Sequence, residues 1–255
     1  MGKRHFGSVR RLASGHYQAA YWYDGKRHVA PQTFTTKADA LAHLASIETD
    51  LRRGTWIEPG RGKVTLAAWS RQWLDGRADL RPVTRAKYEH MLERHVIPAL
   101  GKAELAKLTP SMVRGWYMGL RGRFVTTGDD AYRMLRAILN TAVTDGLIGR
   151  NPCQVRGAGA ARSEERPVAT VAELAAAVEA TPERYRLAIL LPAWCQLRRG
   201  EVLGLQRRDV DLLHGTLRIE RSLVRPMTGI SLVGPPKTTA GARTIAVPPH
   251  ILPVL

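Results

Sequence analysis

Residues 156–163 read Arg156-Gly157-Ala158-Gly159-Ala160-Ala161-Arg162-Ser163, a run of small residues with neither helical nor strand periodicity. Such a run has no apolar face to bury, so one continuous core cannot pass through it. A chain of 255 residues divided there has to build more than one core. The patterns to either side differ in kind. Strand-like alternation and one helix occupy about 1–60, helical periodicity alone fills 64–153, and helices mixed with strands follow over 166–255. The expected fold class is multidomain α+β: a small three-stranded sheet plus helix, a four-helix domain, and a mixed α/β part.

In the first part, Ser8–Leu12 is short and partly apolar, and Gly15 marks a turn. Tyr17–Tyr23 is aromatic-rich, Asp24-Gly25 is a two-residue hairpin signal, and Lys26–Ala30 is the returning strand. Thr36 can cap a helix over Lys37–Arg52 that turns Ala40, Leu41, Leu44 and Ile47 inward. A three-stranded sheet backed by one helix leaves one face in solvent. Arg10, Tyr17, Tyr21, Tyr23, Lys26 and Arg27 are the candidates for that face. A curved basic sheet with aromatics suits the major groove of a duplex. Some of those aromatics must nevertheless form the core.

In the second part, Thr65 precedes Leu66, Trp69 and Trp73 at i, i+3 and i+7. Thr84 precedes Tyr88, Leu92 and Val96, a pattern stopped near Pro98. Thr109-Pro110 opens a helix through Leu120, and Tyr132, Leu135, Leu139 and Ala142 mark a fourth that ends at Asp145-Gly146. The aromatic stripe reads as core rather than as a surface for stacking bases. Arg81, Arg85, Lys87, Arg133 and Arg136 lie near helix starts or on outward faces, where each can meet a phosphate or simply be solvated.

In the third part, Thr170 and Glu173 form a capping box, and a long apolar helix over 184–196 carries Pro192. Thr216–Glu220 and Arg243–Val247 alternate like strands, with a third around Ile230–Val233.

Charge supplies the first functional constraint. The chain carries 39 Lys+Arg against 22 Asp+Glu, a net charge of +17. The excess is even: +6 over 1–63, +6 over 64–150 and +5 over 151–255. A polyanion running past every segment, a nucleic acid of a kind the charge does not specify, accounts for that distribution. The plain alternative is solubility in a protein that prefers Arg, at 31 against 8 Lys. No apolar run approaches the ~20 residues of a membrane helix. No apolar segment follows the basic start Met1–His5, which argues against a secretory leader. Cys153 and Cys195 fit neither a disulfide framework nor a zinc pattern. These features together predict a cytoplasmic, nucleic-acid-binding protein with packing cysteines and no membrane segment.

Leu197-Arg198-Arg199-Gly200-Glu201-Val202-Leu203-Gly204-Leu205 closely resembles the first catalytic box of the tyrosine site-specific recombinases, the phage integrase family. Asp209-Val210-Asp211 continues the resemblance. So does Pro235-Pro236-Lys237-Thr238-Thr239-Ala240-Gly241-Ala242-Arg243-Thr244-Ile245, which looks like the strand–turn–strand bearing that family's active-site lysine. The domain order is similar to that of actinobacterial phage integrases: an arm-type DNA-binding sheet domain over 1–60, a helical core-binding domain over 64–153, and the first part of a catalytic domain over 166–255. The resemblance implies that Arg198 binds the scissile phosphate, that Glu201 supports it, and that Lys237 is the active-site lysine. It also implies attachment-site-like DNA as partner and self-association on that DNA.

The chemistry fits those residue types. Arginine offers a planar fork to non-bridging phosphate oxygens that lysine cannot match. A Glu one turn away can hold that fork. The leaving 5′-oxygen needs a proton, and Lys237 is the only Lys after Lys107 in a stretch with 19 Arg. Arg199 is the rival phosphate binder if the register slips by one. The family's His-x-x-Arg box does not occur, and the last tyrosine, Tyr185, precedes Arg198. The sequence is thus expected to resemble an integrase cut within its catalytic domain, without a nucleophile and inactive alone. Three functions compete: a DNA-strand transferase by descent, a catalytically dead occupant of attachment sites, and an unrelated transcription regulator. No metal or cofactor is expected.

Overall fold

The computed structural model describes residues 6–54, 56, 58, 60–160, 165–225, 229 and 231–255. The basic start Met1–His5, residues 161–163 of the expected linker and Ile230 of the expected third strand lie outside the described residues. The chain forms two compact units, one of residues 1–78 and 90–161, the other of residues 79–89 and 162–255.

The first unit begins with an antiparallel sheet in the order β1 (Ser8–Arg11), β2 (Tyr17–Tyr23), β3 (Lys26–Val29). Asp24 and Gly25 both have positive φ, as the two-residue hairpin requires. Helix α1 (Lys37–Arg53) starts where the Thr36 hydroxyl accepts the Asp39 N–H at 3.1 Å, and it ends at Gly54 in the left-handed region. Ala19, Tyr21, Ala30, Phe34, Ala40 and Leu44 form the core between sheet and helix.

Helices α2 (Leu66–Asp75), α3 (Pro82–Met91), α4 (Ile97–Leu100), α5 (Pro110–Arg123) and α6 (Val125–Thr144) follow. Thr65 and Thr109 cap α2 and α5. Helix α3 starts at Pro82, two residues before the expected cap Thr84, because proline's fixed φ and missing N–H suit a first helical turn. Nor does Pro98 end the helical run. A π-helical segment, Leu92–Val96, absorbs the change in hydrogen bonding, and Pro98 sits in the first turn of α4. The tryptophan stripe is core: Trp69 and Trp73 are buried, and their indoles donate to the Ile138 carbonyl at 3.2 Å and the Thr141 hydroxyl at 3.0 Å of α6.

The second unit contains residues 82–89 of α3 together with α7 (Val171–Glu179), α8 (Glu183–Cys195), α9 (Arg199–Gly204), β4 (Val210–Asp211), β5 (Thr216–Ile219), β6 (Ser222–Val224), β7 (Leu232–Gly234) and β8 (Arg243–Ala246). Leu191, Cys195, Leu197, Leu217, Ile219, Val247 and Ile251 form its core. Both cysteines are buried and free, and burial pushes the Cys153 thiol up to about 12. The expected strand–turn–strand around Lys237 is not a hairpin. Strand β7 pairs with β6, whereas β8 pairs with β5 in the sheet β4-β5-β8. Pro235 and Pro236 have no N–H for a ladder, so the chain leaves one sheet there and enters the other at Arg243.

Among the described residues, no helix is long and apolar enough to cross a membrane.

Candidate active site

The segment around Arg198 is shaped by its backbone. Helix α8 ends at Gln196, a non-glycine residue in the left-handed region (φ 54°), which turns the chain so that Arg198 precedes a new helix in extended conformation. Helix α9 then lies against the backbone of β6. A Cβ on Gly200 would stand 2.9 Å from the Leu223 carbonyl oxygen, and one on Gly204 would stand 3.0 Å from that of Arg221. The two glycines of the motif are therefore packing requirements.

Glu201 projects from the first turn of α9 into the centre of the site and is only 2 % exposed. Its carboxylate accepts four hydrogen bonds. Oε1 takes Nη1 of Arg198 at 2.9 Å and Nη1 of Arg243 at 3.3 Å, while Oε2 takes the Arg198 backbone N–H at 3.1 Å and Nη2 of Arg243 at 3.0 Å. Burial alone would raise the carboxyl, but the donors from Arg243 and Arg198 outweigh it and hold Glu201 down at about 2. The carboxylate is thus ionised at neutral pH and clamps two guanidinium groups. The Arg243 side chain is 28 % exposed, whereas that of Arg198 is 72 % exposed. Arg198 keeps free N–H groups turned to solvent, the arrangement that can receive a phosphate oxygen. The register puts Arg198, not Arg199, on Glu201.

Asp209 is a second buried carboxylate. It accepts from the Arg221 guanidinium and from the Gln206 N–H at 2.8 Å, and so ties the segment before β4 to the start of β6. It supports the strand against which α9 packs.

Lys237 lies exposed on the segment between β7 and β8. No contact joins its Nζ to Arg198 or Glu201 among the described residues. The connection runs through the main chain: Arg243 donates Nη1 to the Gly241 carbonyl at 3.1 Å while its other bonds hold Glu201. The sequence motif includes Arg243, yet nothing local assigns it a role. Its partner is 42 residues away, so only the folded register reveals the clamp.

The residues expected on one face of the first sheet fall on two. Cross-strand pairs Arg10↔Gln18 and Trp22↔Arg27 share a face, while Tyr21↔His28 and Tyr23↔Lys26 belong to the other, which α1 and Trp56 cover. Tyr21 is 2 % exposed and its hydroxyl accepts the Trp56 indole N–H at 2.9 Å; it is a core residue. Tyr17 is half-buried against the same core, and Lys26 pairs with Glu58 at 3.7 Å. Arg10 and Arg27 remain on the open face, joined by Trp22 at 67 % exposure, which the sequence reading missed although alternation from Tyr21 places it there.

On the helices, Arg85 pairs with Glu89 at 3.0 Å and Arg133 pairs with Asp130. Lys87 and Arg136 are exposed. Arg81 donates Nη2 to the main-chain carbonyl of Lys237 at 2.6 Å.

Family models for the phage integrase N-terminal domain and the phage integrase N-terminal SAM-like domain match residues 5–53 and 65–121. The chain is 36 % identical over 261 residues to the prophage phiRv2 integrase of Mycobacterium tuberculosis, covering 99 % of this chain and 68 % of that protein. It is 38 % identical over 264 residues to the integrase of Mycobacterium phage L5, covering 98 % and 70 %. The fold is similar to that of the Tn1549 transposon integrase solved with a circular intermediate DNA, with TM-score 0.65, 18 % identity, and coverage of 75 % of this chain and 63 % of that one. A lambda integrase dimer bound to a core site is similar at TM-score 0.55 and 19 % identity, over 92 % of this chain and 68 % of that one. The chain therefore spans about two thirds of the length of these proteins, and it belongs to the phage integrase family of tyrosine recombinases.

Proposed function

We propose that the chain binds double-stranded DNA at attachment-like sites, associates with further copies there, and carries the phosphate-binding half of a strand-transfer centre for site-specific integration and recombination. The observation that carries this is the buried Glu201 carboxylate clamping Arg198 and Arg243 with Arg198 left open to solvent. Residues 1–60 grip DNA through the open sheet face, 64–153 through outward helix cations such as Lys87 and Arg136, and 166–255 hold the scissile phosphate.

In the reaction, an attacking hydroxyl gives up its proton to solvent and forms a new O–P bond as the P–O5′ bond breaks. Arg198 neutralises charge on the non-bridging oxygens, Glu201 and Arg243 fix its orientation, and Lys237 Nζ gives a proton to the departing 5′-oxygen. These 255 residues contain no tyrosine after Tyr185 and no His-x-x-Arg. A polypeptide of these residues alone is therefore read as a DNA occupant that forms no covalent link.

Two measurements test this. Affinity for a duplex should fall by ~10³–10⁵ between 50 and 200 mM salt if six to ten phosphates are touched; a flat salt response removes the DNA-binding proposal. On a nicked duplex that traps cleavage, the 255-residue polypeptide should give no protein–DNA adduct, and in-frame fusion to the C-terminal segment of the phage L5 integrase should produce one. An adduct from the unfused polypeptide would overturn the division into phosphate-binding half and missing nucleophile.

A further inference from the structure

The segment bearing Lys237 is held at both ends. On the β8 side, Arg243 bonds the Gly241 carbonyl and Glu201 together, and a Cβ on Gly241 would come within 2.6 Å of Cβ of Pro236, so the turn closes tightly on a buried proline. On the other side stands Arg81, immediately before the first residue of α3 and 156 positions from Lys237. Its Nη2 donates to the Lys237 carbonyl at 2.6 Å and reaches the Pro236 carbonyl at 3.5 Å. Both contacts lie within the second compact unit, to which residues 79–89 belong.

We infer that Arg81 is a positioning residue for Lys237: its guanidinium fixes the main chain of the active-site lysine, and it does not serve as a phosphate contact. The chemistry favours this use of the side chain. A carbonyl is a neutral acceptor, and the bond to it is charge-assisted, short and available only in one position of the segment. A lysine that must reach a 5′-oxygen carries four rotatable bonds of its own, so fixing its Cα removes a large part of the remaining search. Besides Arg81 and Arg243, the hydrogen bonds to residues 235–242 among the described residues are the local turn bonds from the Gly241 N–H to Thr238 and from the Ala242 N–H to Thr239, neither at Lys237 itself. The inference rests on Lys237 being the proton donor proposed above, and the test separates the two.

The first arm uses the 255-residue protein by itself. Hydrogen exchange should show amides of residues 237–242 exchanging at least about tenfold faster in Arg81→Ala, with the peptides of α1 and α6 unchanged. Arg81→Lys, which can still donate to one carbonyl, should recover part of the protection. Duplex affinity of Arg81→Ala should stay within about twofold of the parent. Unchanged exchange in the segment, or a loss of affinity with a salt slope lower by about one, would overturn the inference in favour of a phosphate contact.

The second arm uses the fusion with the phage L5 segment and two nicked duplexes, one with the ordinary 5′-oxygen leaving group and one with a bridging 5′-sulfur that departs without a proton. Arg81→Ala should slow cleavage of the first by roughly ten- to a hundredfold and leave the second nearly unaffected. Arg81→Lys should restore part of the rate, and adding Arg81→Ala to Lys237→Ala should cost nothing further. Equal slowing on both duplexes would place Arg81 on the phosphate. Failure of the sulfur duplex to rescue Lys237→Ala would instead remove Lys237 as the acid, and the exchange arm then decides alone whether Arg81 holds the segment.

Discussion

Arg27 and Arg198 are both exposed arginines, yet the molecule holds them in opposite ways. Arg27 lies across from Trp22 on the open face of β1–β3, beside Arg10 and Gln18, with no carboxylate among the strand residues of that face. Arg198 is clamped by a carboxylate that is itself buried and is shared with Arg243. The first arrangement leaves Arg27 without an ion pair among the described residues and Arg10 bonded to the Gln18 amide oxygen at 3.2 Å, an arrangement suited to non-directional attraction of a polyanion. The second fixes one fork in one orientation, the arrangement that the strand-transfer role proposed above requires, where charge develops at one place. Evenly spread positive charge in the sequence hides this division completely.

The comparison can be broken at the clamped end first, where the effect should be greatest. In the fusion with the phage L5 segment, Arg198→Ala should lower the cleavage rate by about 10²–10³, as removal of one preorganised donor does. The sulfur-leaving duplex should not rescue it, because the lost function is charge stabilisation and not protonation. Rescue of Arg198→Ala there, with none for Lys237→Ala, would mean the two roles are reversed.

Glu201→Gln attacks the clamp without removing its shape. The carboxyl sits at about 2 in the folded protein against an ordinary 4.5. A depressed folded value means the unfolded chain binds the proton more readily, so the ionised form stabilises the fold at pH above 4.5 and that stabilisation is lost as pH falls toward 2. The difference corresponds to roughly 3 kcal/mol at pH 7. Urea unfolding should therefore show Glu201→Gln less stable by about that much at pH 7, with the gap shrinking by more than half by pH 3. A gap that is independent of pH would show that Glu201 contributes packing alone.

Most local signals in the sequence folded as expected, the exceptions being the cap read at Thr84 and the stop read at Pro98. Thr36, Thr65, Thr109 and Thr170 cap helices because a hydroxyl and an N–H three residues on are enough to define the event. Asp24-Gly25 needs only its own backbone freedom to make the hairpin. What escaped was set by long-range register. Face membership in the first sheet depends on pairing Arg10 with Gln18 and Trp22 with Arg27, and composition alone lumps six residues that alternation divides. Arg243 and Arg81 have no local pattern at all, since their partners are 42 and 156 positions away. Arg198 with Glu201 was legible because the pair lies within one helical turn.

The open face offers the milder tests. Arg27→Ala should reduce the slope of log affinity against log salt by about 0.9, the share of one phosphate, and should leave unfolding stability within roughly 0.5 kcal/mol of the parent. A fall in stability with no change in slope would mean that Arg27 is structural and that the unpaired face is not where DNA lies.

Tyr21→Phe is the smallest change and the sharpest on the assignment of faces. Tyr21 belongs to the same strand as Trp22 and points the other way. Its ring is 2 % exposed, stacks on His28 with centroids 5.3 Å apart, and meets the edge of Trp56 at 6.2 Å. Phenylalanine keeps all of that packing. It removes only the hydroxyl that accepts the Trp56 indole N–H at 2.9 Å, leaving a part-buried donor without its partner. The expected cost is about 1 kcal/mol of stability, measured by urea unfolding. Duplex affinity and its salt slope should not move, because a ring so covered cannot meet a base or a phosphate while the sheet and α1 stay packed. If Tyr21→Phe instead weakens DNA binding at unchanged stability, the ring reaches the duplex, the helix-covered face is the one that opens onto DNA, and the contrast between the open sheet face and the clamped arginine has to be drawn elsewhere in the first unit.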